Sequence, residues 1–258
     1  MDLNYKYKTS FLHPIIASAD IDQDNIKISK ASMEDLRGLM PDSVDLDKNI
    51  DLVGVAFNAA VVNKFNKNHD GIGTATALAV KDYFVHKPTN IEHKKQRIVG
   101  HIVSAGFSSY GDNELLENED LANYSDPFNI ALGAVVYRMI DKKFAQLLNE
   151  SADPESPMHN QVSASWEIGF NDYQIAVGSE NLAEAEIITD EKQIKELSQY
   201  LKASDGAGEM KDGTLVRRLV VGNVYPLGIG FTANPAADVE GVVVTNNKEE
   251  FKVSDRRD

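Results

Sequence analysis

The stretch Val162-Ser163-Ala164-Ser165-Trp166-Glu167-Ile168-Gly169-Phe170 alternates along its whole length. Val162, Ala164, Trp166 and Ile168 point one way, and Ser163, Ser165, Glu167 and Gly169 point the other. A period of two is the signature of a strand with one face against a core. Asn171-Asp172 follows as a turn signal, with Tyr173–Val177 as the return strand.

Other strands are expected on both sides of this one. Leu52–Val62 is apolar and β-prone, as is Ile98–Ala105. Val216–Val221, Leu227–Phe231 and Val239–Thr245 are strand-like and closely spaced. Three helices are expected among them. The first spans Thr74–Val85, with Ala77, Val80 and Phe84 at helical spacing and Pro88 beyond its end. The second spans Ala134–Asn149 and the third Asp190–Lys202. Many short strands with a few interposed helices predict an α+β domain built on an antiparallel sheet or barrel.

Punctuation is weaker than periodicity. Asn63–Gly73 and Ser204–Gly213 read as loops, and Ser151–Pro157 as a break. Gly111–Asp126 holds six acids and no base, the mark of a solvated acidic loop. Residues 1–50 are polar and show little periodicity beyond Ser32-Met-Glu-Asp35, which resembles a capping box ahead of Leu36, Leu39 and Met40. The expected organisation is an N-terminal arm or pro-segment over 1–50, one main domain over 51–246, and a polar C-terminal tail over 247–258.

Composition narrows the functions. The 258 residues can bury a sizeable core, and the apolar fraction of 42% is ordinary for a globular chain. A net charge of −14 disfavours nucleic-acid backbones and anionic membranes as partners. The chain has no cysteine, so thiolate metal sites, cysteine nucleophiles and disulfides are excluded. No apolar run approaches the roughly 20 residues of a membrane helix, and the N-terminus does not read as a secretory signal. The six histidines, His13, His69, His86, His93, His101 and His159, include no helical pair flanking a glutamate, so no metal site is expected. Gly228-Ile-Gly230-Phe-Thr-Ala233 fits a loose dinucleotide pattern, but Asn234-Pro235 and a β-prone run follow where a helix is required. No cofactor is expected.

A serine hydroxyl needs a neutral imidazole within reach and donors for the oxyanion. Composition alone cannot pair one of these serines with one of these histidines. Flanking residues go further. Pro88-Thr-Asn90-Ile-Glu92-His93, followed after five residues by Val99-Gly100-His-Ile102, resembles the segment of herpesvirus assemblins that carries their first catalytic histidine. Phe57-Asn-Ala-Ala-Val-Val-Asn63 through Ala79-Val-Lys-Asp-Tyr83 resembles the strand, loop and helix that precede the histidine in tailed-phage prohead proteases, which share that fold and mechanism. Ser165-Trp-Glu167-Ile-Gly-Phe-Asn-Asp-Tyr173 is similar to phage versions in which serine, a bulky apolar residue and glutamate run together. Pro226-Leu-Gly-Ile-Gly-Phe-Thr-Ala-Asn-Pro-Ala-Ala-Asp238 resembles the strand and loop that close the phage domain. The resemblance covers about residues 52–245.

It implies an antiparallel β-barrel-like core with peripheral helices, and a serine endopeptidase that processes scaffold and major capsid proteins inside a virus prohead in the host cytoplasm. His93 would be the general base. Ser165 is favoured as nucleophile over Ser163, which shares its strand face and also follows an aliphatic residue. Assemblins place a second histidine after the serine, and this chain has none after His159. The orienting group would then be an acid, with Asp172, Glu180 and Asp238 as candidates. Such proteases often cut after glutamate with a small or aliphatic residue two positions earlier. Ala207-Gly208-Glu209 and Leu182-Ala183-Glu184 meet that description and are candidate self-cleavage sites. Self-association is left open. The alternative is a non-catalytic capsid assembly or scaffold protein on the same fold.

Overall fold

The computed structural model describes residues 5–18, 38–41, 43–46, 48–111, 114–122, 124–153, 155–159 and 161–232. The Ser32–Asp35 capping box, Asp238, the Val239–Thr245 strand and the 247–258 tail lie outside the described residues. The strands are β1 (Tyr7–Ser18), β2 (Leu52–Val62), β3 (Asp70–Ile72), β4 (Pro88–Ile91), β5 (Ile98–Ser109), β6 (Leu115–Leu116), β7 (Phe128–Tyr137), β8 (Ser163–Val177), β9 (Glu186–Ile188) and β10 (Val216–Thr232). The α-helices are α1 (Thr74–Val80), α2 (Lys142–Ala152) and α3 (Glu191–Leu197). The fold is mixed α+β, mostly strands, as expected.

One ten-stranded sheet holds these strands, in the order β3-β10-β4-β5-β7-β2-β1-β8-β9, with β6 on β5. β10 also pairs along β8 from Val216 to Thr232, so the sheet curls and its ladders return on themselves. The pairings are antiparallel except that β10 runs parallel to β3 and to β4. That exception has a simple origin. The β3–α1–β4 segment travels along a single edge of β10, and a helix between two strands brings them back parallel.

Alternation along β8 places Ala164, Trp166, Ile168 and Phe170 in the core, all fully buried. Trp166 stacks on Phe84 with ring centroids 4.5 Å apart, and Phe57 meets Phe231 edge-on at 5.7 Å. α2 adds Phe144, Ala145 and Leu148 to the same core, Phe144 lying 5.7 Å from Phe231. Each large apolar side chain buried this way contributes about 1.5–3 kcal/mol. On the other side of the sheet, Leu39 packs with Ala56 and Ala131, and a Cβ at Gly106 would stand 3.0 Å from its Cδ2. A buried ion pair ties the edge: Arg218 Nε and Nη2 donate to Asp70 at 2.6 and 2.9 Å, and Thr9 on β1 donates to the same carboxylate.

Several expectations are corrected. Tyr7–Ser18, read as part of an irregular arm, is a strand between β2 and β8. No turn forms at Asn171-Asp172, because Asp172 pairs with Val221 and Tyr173 with Val220, and β8 runs straight through. The two strands expected over 216–231 are one 17-residue strand, interrupted by irregularities between Val221 and Val224 and between Pro226 and Gly228. The helix expected from Ala134 starts at Lys142. Ala134–Tyr137 belongs to β7, and the Asp141 side chain caps the helix by accepting from Phe144 N at 3.0 Å.

Candidate functional site

The link from β4 to β5 is a tight turn. Lys94 N donates to Ile91 O at 3.0 Å, and both central residues have positive φ, 57° at Glu92 and 53° at His93. That pattern belongs to a type I′ turn, where glycine and asparagine are usual. Left-handed backbone costs other residues about 1–2 kcal/mol each. The turn is held by its neighbours: Glu92 N donates to Phe231 O at 2.8 Å, and Ile91 N to Arg97 O at 3.1 Å. It therefore folds back over β10.

Its effect is to lay the His93 ring on Gly230. A Cβ built at Gly230 would lie 2.6 Å from Nδ1 and Cε1 of His93. Gly230 is the cross-strand partner of Ser165. Opposed residues in an antiparallel ladder have Cβ atoms about 4.5–5.5 Å apart. The imidazole thus occupies the place of the side chain that would face Ser165. Ser163 is opposite Thr232, one step further along the same face. Of the two expected serines, Ser165 is opposite the glycine under the ring and Ser163 is one pair further along.

The acid near the imidazole is Glu167, on the strand face that carries both serines. Its Oε1 lies 3.7 Å from His93 Nδ1 and 2.5 Å from Lys8 Nζ on β1. Of the three expected orienters, the two that are described, Asp172 and Glu180, are not there. Asp172 is opposite Val221, seven residues along β8 from Ser165, which is roughly 23 Å of extended strand. Glu180 is bonded to Arg217 Nη2 at 3.2 Å. Asp238 is outside the described residues. Glu167 was legible as a face-mate of Ser165, but only the fold-back of the β4–β5 turn shows which acid the ring meets.

A groove of about 910 Å³ opens on this face, lined by Tyr83, Pro88, Asn90, His93, Glu167 and Leu227 among others. Ser163 and Ser165 do not line it; they are 4% and 6% exposed. The histidine side of the site is open to the groove, and the serine side is covered.

Other sequence features have different uses. Gly228–Thr232 lies inside β10, and its Gly230 provides the space that His93 fills. Among the described residues, no group of three His, Cys, Asp or Glu side chains is arranged to hold a metal, and no helix is long and apolar enough to cross a membrane. Both candidate self-cleavage sites are tied down. Gly208 N donates to Tyr200 O at 2.7 Å and Gly208 O accepts from Val216 N at 2.8 Å. Leu182–Glu184 is a turn of 3₁₀ helix. Either would have to open locally before a protease could take it as an extended chain.

Comparison with protein-family models, curated proteins and solved structures finds no match to this chain.

Proposed function

We propose that this chain is a serine endopeptidase of the virus prohead-protease kind, with the barrel-like fold that those enzymes share with assemblins. One observation carries the reading: the His93 imidazole rests on Gly230, the residue directly opposite Ser165. In this reading Ser165 Oγ attacks the scissile carbonyl. His93 takes its proton and returns it to the leaving amine, and an acyl-enzyme forms and is hydrolysed by water. Glu167 stabilises the imidazolium that develops between those steps, in place of Asp172 or Glu180. The substrates are scaffold and major capsid proteins, met inside an immature capsid in the host cytoplasm.

A serine-directed fluorophosphonate probe tests this. It should modify Ser165, and Ser165→Ala should abolish both labelling and processing of a co-expressed capsid protein, while Ser163→Ala leaves both largely intact. Unchanged processing in both variants would end the enzyme reading.

A second reading is supported by the 6% exposure of Ser165 and its absence from the groove lining. It is a non-catalytic capsid assembly protein on the same fold, whose groove binds without cutting. Capsid assembly that depends on the chain but not on His93 or Ser165 would favour it.

A further inference from the structure

Ser165, Gly230 and Asn90 form one row across three strands. Gly230 is opposite Ser165 in the β8–β10 ladder and opposite Asn90 in the β10–β4 ladder. Ile91, the next residue of β4, is in the core, so Asn90 points to the outer face with the rest of the row. The His93 ring covers the middle member. Strands are spaced about 4.8 Å apart, so the imidazole has Ser165 on one flank and Asn90 on the other. The two ring nitrogens of an imidazole point to opposite sides. A ring that turns one nitrogen to Ser165 presents the other toward Asn90.

Asn90 is poised to meet it. The residue is 9% exposed, it lines the groove beside His93, and its Oδ1 is buried without a hydrogen-bond partner among the described residues. Leaving such an oxygen unmatched costs about 1–3 kcal/mol, so an orphan of this kind calls for a reason. Glu167 is the less suited hydrogen-bond partner. Its Oε1 is 3.7 Å from Nδ1, beyond hydrogen-bond range, and already engaged by Lys8 at 2.5 Å.

We propose that Asn90 is a positioning residue for His93. Its carboxamide oxygen has no partner among the described residues, and Nδ1 lies 3.7 Å from Glu167 Oε1; a turn of the His93 ring would let that oxygen accept the Nδ1 hydrogen of the neutral imidazole and leave Nε2 unprotonated toward Ser165. Glu167 contributes charge and Asn90 fixes the tautomer. The proposal deepens the endopeptidase reading and rests on it for its catalytic consequence, but the hydrogen bond itself can be observed without any activity.

The test is a long-range ¹H–¹⁵N correlation spectrum of the full chain with labelled histidine, which reports which ring nitrogen of His93 holds the proton. The wild type should show the Nδ1–H form. Asn90→Ala and Asn90→Leu should shift His93 toward the Nε2–H form, and Asn90→Asp, which keeps an acceptor in place, should restore it. The same alanine variant should lower kcat by about tenfold to a hundredfold with KM little changed, and the aspartate variant should recover most of that loss. If Asn90→Ala does not fold, Asn90→Gln serves: it keeps the amide, moves its oxygen by one methylene, and should also lose the Nδ1–H preference. An unchanged His93 tautomer in the folded variants overturns the proposal. A tautomer that shifts while Ser165→Ala leaves processing intact upholds the hydrogen bond and removes the endopeptidase reading instead.

Discussion

The His93 imidazole and Gly230 share one position on the sheet: the ring fills the space that any side chain at 230 would need, with Nδ1 and Cε1 2.6 Å from its Cβ site. Gly230→Ala should therefore leave the sheet paired and push the ring away. A displacement of about 1 Å in a reacting group costs roughly 10²-fold. On the proposed endopeptidase reading, activity on a capsid substrate should fall by at least that much while the thermal midpoint moves little. Full activity in Gly230→Ala would mean that the ring position does not matter.

Glu167→Gln removes a charge but keeps the shape. A carboxylate 3.7 Å from the imidazole is worth roughly 1–4 kcal/mol at effective dielectric constants between those of water and a protein surface. Lys8 shares the same oxygen, which brings the expected effect to the lower part of that range, about tenfold to a hundredfold in kcat. Asp172→Asn, tested beside it, should have no comparable effect, since Asp172 faces Gly222 at the far end of β8.

The Asp70–Arg218 pair predicts a stability effect away from the groove. Arg218→Met leaves the buried Asp70 carboxylate with Thr9 but without its cation, which should destabilise the fold by about 3–5 kcal/mol in denaturant unfolding. Combining Asp70→Asn with Arg218→Met should recover part of that loss, because no uncompensated charge is then left inside. Additive losses from the two changes would mean that the residues are not coupled.

Stability should also fall as pH drops from 7 toward 5. Burial, and then the Arg217 guanidinium, hold the His69 imidazole below its ordinary value; burial, and then His86, do the same for His101. The unfolded chain therefore takes up protons first. The stabilisation is full above the ordinary value of 6.5 and is lost as pH falls through the window between it and the lowered folded value. His69→Gln and His101→Gln should each reduce the difference between thermal midpoints at pH 7.5 and pH 5.5. An unchanged difference in both would place the pH dependence elsewhere.

Much of this fold is readable locally. The alternation over Val162–Phe170 and the apolar run Leu52–Val62 are strands because their own periodicity demands it. What is not readable depends on distant partners. Asn171-Asp172 has turn chemistry, yet β10 pairs across it, and ladder hydrogen bonds outweigh a two-residue preference. Ala134–Tyr137 continues into helical spacing, yet it is zipped between Val55–Leu52 on one side and Ile102–Gly100 on the other. The site behaves the same way. His93 and Ser165 stand out through their flanks, whereas Glu167 and Asn90 gain their meaning only once β10 lies between β8 and β4.

That dependence on β10 has a consequence in time. His93 and Ser165 both leave the ribosome before Gly230, and β4 and β8 meet through β10 rather than pairing with each other. Until the last described strand is made and slides in, the imidazole has no surface to rest on and, among the described residues, Ser165 has only Leu12 of β1 opposite it. Synthesis order should therefore delay the meeting of His93 and the Ser165 strand in a nascent chain until β10 is in place.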